Sequence, residues 1–153
     1  IDKLSEMMRY TMKDIQLDYV LLEDEINYIN NFIALQELRL DRRVKLEYNS
    51  LSHIPPFQIA PMLLIPFIEN AFKYGVNSEQ KSHIKVQISL DKTKIQLNVQ
   101  NNKVNVQKEI FERTGLGIEN TRHRLNLIYP SKHLLVINDT EKEFFISLNI
   151  NLQ

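Results

Sequence analysis

Two pairs of alternating segments constrain the fold of this 153-residue chain more than any other feature. In residues 83–90 and 94–100 every second residue is apolar, which is the pattern of strands that bury one face. Asp91-Lys92-Thr93 between them predicts a hairpin turn, and residues 134–138 and 143–152 predict a second hairpin. An apolar sheet face must pack against another layer, so the rest of the chain has to supply one.

Four segments with helical periodicity can supply that layer. The predicted helices are residues 2–14, Leu22–Leu40, Pro61–Tyr74 and a helix from about Ile118 to Pro130, and a short strand is predicted at residues 44–48. Asp24 and Glu25 favour the start of the second helix, because acidic groups stabilise a helix N-terminus. The order predicts an α+β fold, with a mainly antiparallel mixed sheet covered by helices on one face.

Two of these helices carry further expectations. The wide apolar stripe of the second helix can pack on its own domain or on a partner helix. The third helix is apolar nearly all round, which is typical of a buried helix, and Pro61 suits its first turn. Pro66 is expected to distort the same helix locally, because proline removes a backbone donor.

Composition and charge exclude several classes of function. There are 19 basic and 19 acidic residues, and a net charge of zero argues against broad nucleic-acid binding. The absence of cysteine excludes disulfides and thiol chemistry. No apolar run approaches the roughly 18 residues of a membrane span. Because Ile1 lies inside an amphipathic pattern without a signal-peptide core, we expect the chain to be a piece of a longer protein.

Glu69-Asn70-Ala71-Phe72-Lys73-Tyr74-Gly75 is the first candidate motif and ends the third predicted helix. Burying Glu69, Asn70 and Lys73 is costly unless they meet a ligand, an ion or each other. Asn70 and Lys73 share a helix face and could hold a cation and a phosphate oxygen together. In the alternative interpretation the polar residues emerge into water at a helix end, with Gly75 as the C-cap.

Thr114-Gly115-Leu116-Gly117-Ile118-Glu119-Asn120 is the second candidate motif and leads into the fourth helix. Two nearby glycines let backbone N–H groups approach a phosphate, and the helix start adds partial positive charge. The motif is neither a P-loop nor a dinucleotide fingerprint. Residues 101–133 carry 6 basic and 3 acidic residues, which favours a compact anion there.

Together the two motifs resemble those of an ATP-binding superfamily. Residues 69–75 resemble the N box shared by gyrase, the ninety-kilodalton heat-shock chaperone, histidine kinases and a mismatch-repair ATPase. Residues 114–125 resemble the glycine box of sensor histidine kinases of the LytS/YehU type, where the box continues into Asn-x-x-x-Arg-Leu. Residues 4–10, 28–39 and 61–66 also resemble this branch, so the resemblance spans nearly the whole chain.

The resemblance implies a Bergerat-type two-layer sandwich, with ATP held between the sheet and a lid at residues 102–114, where Lys108 and Arg113 are possible phosphate contacts. Asn70 would coordinate Mg²⁺, Glu69 would be the catalytic residue that orients the reacting groups, and Lys73 would contact phosphate. The residues implied to contact the nucleotide are Asn70, Lys73, Tyr74, Asn101, Gly115, Leu116, Gly117 and Ile118. Residues 1–42 would be the remnant of a dimerisation and phosphoacceptor region, and residues 43–153 the catalytic ATP-binding domain.

The implied activity is transfer of the ATP γ-phosphoryl group to a histidine upstream of Ile1 and then to a response regulator. None of the four histidines present substitutes for that acceptor, so the piece alone is expected to be inactive in autophosphorylation. The full-length protein would be a homodimer, and this piece a cytoplasmic domain of a bacterial inner-membrane sensor. The alternative is a degenerate nucleotide-binding module that acts through protein interactions. A gyrase-like ATPase is disfavoured because a transducer domain and a basic track are lacking.

Three positions depart from the family pattern. Asn101 replaces the Asp that accepts from the adenine amino group, and a neutral acceptor is weaker by about 1 kcal/mol. Lys103 replaces a glycine, so a positive φ there would carry strain. Tyr74 stands where this branch often has His. The first two departures favour the degenerate module, whereas intact Asn70 and Lys73, with the glycine box, favour the kinase.

Overall fold

The computed structural model describes residues 2–13, 16–77, 79–104 and 116–153. Within these ranges the helices are α1 (Asp2–Lys13), α2 (Leu22–Glu37), α3 (Ile65–Tyr74) and α4 (Leu116–Ile128). The strands are β1 (Val20–Leu21), β2 (Val44–Asn49), β3 (Gln58–Ile59), β4 (Ser82–Asp91), β5 (Lys94–Asn102), β6 (His133–Asp139) and β7 (Glu143–Asn151). No helix in the described part of the chain is long and apolar enough to cross a membrane.

The main sheet has five strands in the order β2-β4-β5-β7-β6. β4–β5 and β6–β7 are antiparallel hairpins, as predicted, and β5 pairs with β7 antiparallel. β2 pairs with β4 in parallel, which requires a long crossover, and α3 lies within it. The predicted α+β fold with a mixed, mainly antiparallel sheet is therefore confirmed.

Alternation places one set of apolar side chains on the same face of the sheet, where α3 and α4 cover it. The buried residues of the three central strands are Ile84, Val86, Ile88, Ile95, Leu97, Val99, Ile146, Leu148 and Ile150. Their registers agree, since Val86 stands opposite Val99, and Leu97 opposite Leu148. The pairing thus aligns the apolar face across the sheet.

α3 begins later than the sequence predicts. The predicted start at Pro61 is wrong, because residues 61–64 form a turn in which Met62 has a φ of 61°. The predicted distortion at Pro66 is also wrong. Pro66 lies in the first turn of α3, where a missing N–H costs no intrahelical hydrogen bond.

The N-terminal helices pack on each other, and α2 also joins the core. Leu22, Ile26, Ile29 and Ile33 of α2 are buried in the same apolar cluster as the residues of α3 and the sheet. Of the two alternatives for the α2 stripe, packing within this chain is the one observed. A two-stranded ribbon of β1 and β3 fixes the start of α2, where the Leu22 N–H donates to the Phe57 carbonyl at 2.8 Å.

Candidate functional site

The C-terminal end of α3 lies directly against the end of β5. A Cβ added at Gly75 would lie 2.5 Å from the Ala71 carbonyl oxygen, 3.0 Å from Ile84 Cγ1 and 3.1 Å from Asn101 Cβ. Gly75 is the C-cap of α3, as one interpretation of the sequence has it, but its φ is −93°. Glycine is therefore required here for close approach and not for a left-handed backbone.

Hydrogen bonds tie this helix end to the segment that follows β5. The Val104 N–H donates to the Tyr74 carbonyl at 3.1 Å, and Asn77 Nδ2 donates to the Val104 carbonyl at 2.8 Å. On the other side, Ser82 Oγ donates to the Gly75 carbonyl at 2.5 Å. The fold thus brings the first candidate motif beside the segment around Asn101, as the resemblance implies.

Asn101 presents a buried acceptor with one fixed orientation. Only 1% of the residue is exposed. Its Nδ2 donates to the Asn102 carbonyl at 2.9 Å, and because a carbonyl can only accept, the amide nitrogen must face it. The Oδ1 atom has no hydrogen-bond partner within the described residues. A buried acceptor of this kind is costly unless another molecule donates to it.

Lys103 does not adopt the positive φ for which strain is expected. The described non-glycine residues with positive φ are Met62, Lys92 and Ser131. The Lys103 side chain forms an ion pair with Asp139, and its ammonium lies 6.0 Å from the centre of the Phe144 ring. This lysine therefore binds to the β6–β7 hairpin without backbone strain.

The polar residues of α3 lie at the surface. Glu69 and Lys73 are exposed and Asn70 is half-buried, so these side chains reach the surface and are accessible to a ligand. Partial desolvation raises the pKa of the Glu69 carboxyl, and nearby Lys73 lowers it. The Lys73 ammonium lies 5.7 Å from the Tyr74 ring centre. Asn70, Lys73 and Tyr74 share a helix face by their spacing.

Glu69 and Lys73 also border a hollow of about 310 Å³ between α2 and α3. The other residues around the hollow are Phe32, Gln36, Arg39, Leu40, Phe72 and Val76. Lys73 therefore borders this hollow and by its spacing also shares a helix face with Asn70.

Part of the second candidate motif is described at the start of α4. Gly117 is exposed, and a Cβ added there would meet nothing within 4 Å. Ile118 is half-buried and packs on the core, whereas Thr121 Oγ1 donates to the Gly117 carbonyl at 2.8 Å. The first N–H groups of a helix have no intrahelical partner, which makes this end suited to an anion.

Several predicted residues cannot be placed. Gly115 and the side chain of Leu116 lie outside the described residues. So do residues 105–114 of the predicted lid, including Lys108 and Arg113. Their predicted contacts stay predictions.

Sequence reasoning missed the role of Glu25. It is not a surface charge at a helix start but is fully buried (0% exposed). The Met62 N–H donates to its two carboxyl oxygens at 2.9 and 3.2 Å, and the Tyr10 hydroxyl also donates to it. Burial raises the pKa of Glu25 to about 7, although the Met62 N–H and the charge of Arg124 lower it. The one available signal was an acidic residue adjoining the apolar stripe of Leu22 and Ile26.

Comparison with known proteins agrees with this geometry. A family model described as Histidine kinase matches residues 1–44, the part that contains residues 4–10 and 28–39 of the resemblance. An uncharacterized sensor-like histidine kinase of Staphylococcus epidermidis is 28% identical over 84% of the chain. The sensor protein kinase HptS of Staphylococcus aureus is 27% identical over 86% of it. The chain spans 27% of the length of each relative.

Solved structures share the fold at low sequence identity. The catalytic domain of the histidine kinase ThkA superposes with a TM-score of 0.58 at 14% identity, covering 89% of this chain and 97% of that domain. Full-length ShkA, solved in complex with AMPPNP, superposes with a TM-score of 0.60 at 14% identity, covering 98% of this chain and 34% of that one. The fold is that of histidine kinase catalytic domains. In sequence and in fold the chain is similar to the catalytic-domain part of sensor histidine kinases.

Proposed function

We propose that the chain binds ATP with Mg²⁺ between α3, the end of β5 and the start of α4, and provides the γ-phosphoryl group that a histidine kinase transfers to a histidine. The observation that carries the proposal is the buried Oδ1 of Asn101 beside the end of α3, which has no hydrogen-bond partner in the part of the chain that the structure describes. Its chemistry fits an adenine, and the residues of α3 and α4 fit the phosphates. ShkA, which shares the fold, was solved with the ATP analogue AMPPNP.

The fixed amide of Asn101 supports recognition of adenine. The adenine amino group is a donor and would satisfy Oδ1, whereas guanine places an acceptor oxygen at the corresponding position. Because Nδ2 is already bonded to the Asn102 carbonyl, the amide cannot turn over to suit guanine without losing that bond. ATP should therefore bind better than GTP.

The phosphate contacts would come from two helices. Asn70 would coordinate Mg²⁺ through its side-chain oxygen, with Glu69 orienting the reacting groups. Lys73 and Tyr74 on α3, and Gly115, Leu116, Gly117 and Ile118 at the start of α4, would contact the nucleotide. Such a site performs phosphoryl transfer mainly by alignment and charge neutralisation.

The metal would reach this site mainly through the nucleotide. No group of three or more His, Asp or Glu residues that could hold a metal ion is present in the described part of the chain. Mg²⁺ commonly binds through one or two protein oxygens, several waters and substrate phosphates. A single amide oxygen from Asn70 fits that mode of binding, so Mg²⁺ binding should depend on ATP.

The two substitutions that suggested a degenerate module are compatible with binding. Lys103 carries no positive φ and is directed to Asp139 and Phe144. Asn101 retains a buried acceptor that has no hydrogen-bond partner among the described residues. These two observations support the kinase over the module.

The remaining proposals concern the whole protein. We propose a phosphoacceptor histidine on a segment outside this chain, with a response regulator as the next acceptor. We further propose that the whole protein is a homodimeric, membrane-anchored sensor whose catalytic domain is cytoplasmic.

We also propose the division into residues 1–42 as the helical segment and residues 43–153 as the ATP-binding domain. The relatives named as sensor histidine kinases support the assignment to a phosphorelay, and the Histidine kinase family model over residues 1–44 supports a boundary near residue 42.

Calorimetric titration with ATP, Mg²⁺ and GTP tests the proposed site. Wild-type chain should bind MgATP, and Asn70→Ala should lose the Mg²⁺-dependent part of the affinity. Asn126→Ala, an exposed asparagine on α4, is the matched control and should bind as wild type does. Absence of measurable binding by the folded wild-type chain at millimolar nucleotide would refute the proposal.

A further inference from the structure

The carboxyl group of Glu25 lies where four parts of the fold meet. Glu25 belongs to α2, the Tyr10 hydroxyl reaches it from α1, and the Met62 N–H reaches it from the turn before α3. The charge of Arg124, on α4, also acts on it. None of these residues belongs to the proposed nucleotide contacts.

The turn at residues 61–64 is held from both sides. Its N–H side is bound by Glu25, which accepts from Met62 and also faces the backbone N–H groups of Leu63 and Leu64. On the carbonyl side, Arg124 Nη1 donates to the Met62 oxygen at 3.4 Å. Met62 has a φ of 61°, a conformation that a non-glycine residue keeps only when its surroundings enforce it. Glu25 and Arg124 supply that enforcement.

The same turn leads directly into the helix that carries the proposed phosphate contacts. α3 begins at Ile65, and Asn70 lies on its second turn. Arg124 lies on α4, which begins at Leu116 within the glycine box. A change in the bonding of Glu25 would therefore alter the placement of α3 and α4 together.

We propose that Glu25 is a positioning residue for the nucleotide site, which holds the turn before α3 and, through the Tyr10 hydroxyl, makes the placement of α3 and α4 depend on α1. The proposal rests on the proposed ATP site, whose geometry it extends to the N-terminal helices. Tyr10 is well placed for this role, because it is 5% exposed and its ring lies 5.0 Å from that of Tyr28 on α2. A displacement of α1 would thus reach the nucleotide site through one buried hydroxyl–carboxyl contact.

Tyr10→Phe is the decisive variant, because it removes the bond from α1 and leaves the bonds between Glu25 and the turn intact. Coupling between distant sites commonly changes affinity by about 5- to 150-fold, so MgATP should bind at least about 5-fold more weakly. Tyr19→Phe, at a tyrosine that is 47% exposed, is the matched control and should bind as wild type does. A purely structural role would lower the melting temperature of Tyr10→Phe and leave the affinity of the folded protein unchanged.

Two substitutions at Glu25 complete the test. Glu25→Gln keeps an acceptor for the Met62 N–H and should bind MgATP within about 2-fold of wild type, whereas Glu25→Ala should lose at least about 5-fold. Glu23→Gln, an exposed neighbour on α2, is the charge-matched control. Wild-type affinity in both Tyr10→Phe and Glu25→Ala would overturn the proposal.

A second measurement separates this proposal from the proposed function. If wild-type chain fails to bind MgATP, the proposed function fails, and amide chemical shifts measured by NMR then decide the positioning role. Tyr10→Phe should shift the amide signals of residues 62–64 and of Asn70, whereas Tyr19→Phe should not. Unchanged signals at those positions would overturn the role of Glu25.

Discussion

Replacing Asn101 by Asp tests the proposed adenine contact, because the family pattern and this structure lead to different expected affinities for ATP. By the family pattern, Asp is the usual acceptor and a charged acceptor should strengthen nucleotide binding by about 1 kcal/mol. In this structure Asn101 also donates to the Asn102 carbonyl at 2.9 Å. Asp cannot donate when ionised, so two oxygens would face each other at that position. We therefore expect Asn101→Asp to weaken the fold and to leave ATP binding no tighter.

The expected loss follows from burial. The variant loses a hydrogen bond and places an ionised carboxylate against a carbonyl at a position that is 1% exposed, which costs about 2–3 kcal/mol. For a chain of this length that corresponds to a fall in melting temperature of about 4–12 °C. When protonated, the introduced carboxyl group could again donate to the Asn102 carbonyl, so its pKa should be raised in the folded state. The loss should then be small at pH 4 and should grow as pH rises through that raised pKa.

Thermal unfolding at pH 4 to 8, with calorimetric titration of MgATP at pH 8, measures both effects. Asn102→Asp is the matched control, since Asn102 Oδ1 accepts from the His83 N–H at 2.7 Å and a carboxylate can replace it there. The control should lose less than about 1 kcal/mol. If Asn101→Asp is as stable as wild type at pH 8, or binds ATP more tightly, the assigned orientation of the Asn101 amide is wrong.

Three further predictions concern stability. Because the pKa of Glu25 is raised to about 7 in the fold from an ordinary value of 4.5, its contribution to stability is fully present below pH 4.5 and falls by roughly 3 kcal/mol as pH rises through 7. Urea unfolding at pH 4 to 8 should show this loss in wild type but not in Glu25→Gln, and parallel pH curves would contradict it. Gly75→Ala should destabilise the chain by about 1–3 kcal/mol, because its Cβ would lie 2.5 Å from the Ala71 carbonyl; an unchanged urea midpoint would contradict this. Gly117→Ala should instead raise the unfolding free energy by about 0.5–1 kcal/mol, because the added methyl meets nothing and alanine favours a helix; a lower midpoint would refute that.

The layers of the fold could be predicted from the sequence because their signals are local. Alternation in β4 and β5 fixed the hairpin and its buried face without knowledge of the rest of the chain. The parallel pairing of β2 with β4 had no such signal, since it joins strands separated by a crossover. The start of α3 was misjudged because Pro61 and Pro66 both suit a first helical turn, and packing decides between them.

The sequence motifs proposed the residues of the candidate site, but they carried little information on its geometry. Phosphate and metal chemistry indicated Asn70 and Gly117 from their motifs, whereas Asn101 was indicated by the family resemblance alone. The donor role of Asn101 depends on its orientation toward the neighbouring carbonyl and could not be read from its identity. The role of Glu25 depends on contacts with Tyr10 and Met62, which are distant in the chain.

The position of α3 inside the β2–β4 crossover also has a kinetic consequence. The hairpins β4–β5 and β6–β7 join neighbouring segments and can form early, whereas β2 reaches β4 only after the whole crossover is closed. α3 and the turn at Met62 belong to that closure, so the proposed nucleotide site should be completed late in folding. A nucleotide would then stabilise only the chain in which this crossover is closed, because the proposed contacts of α3 are in place only then.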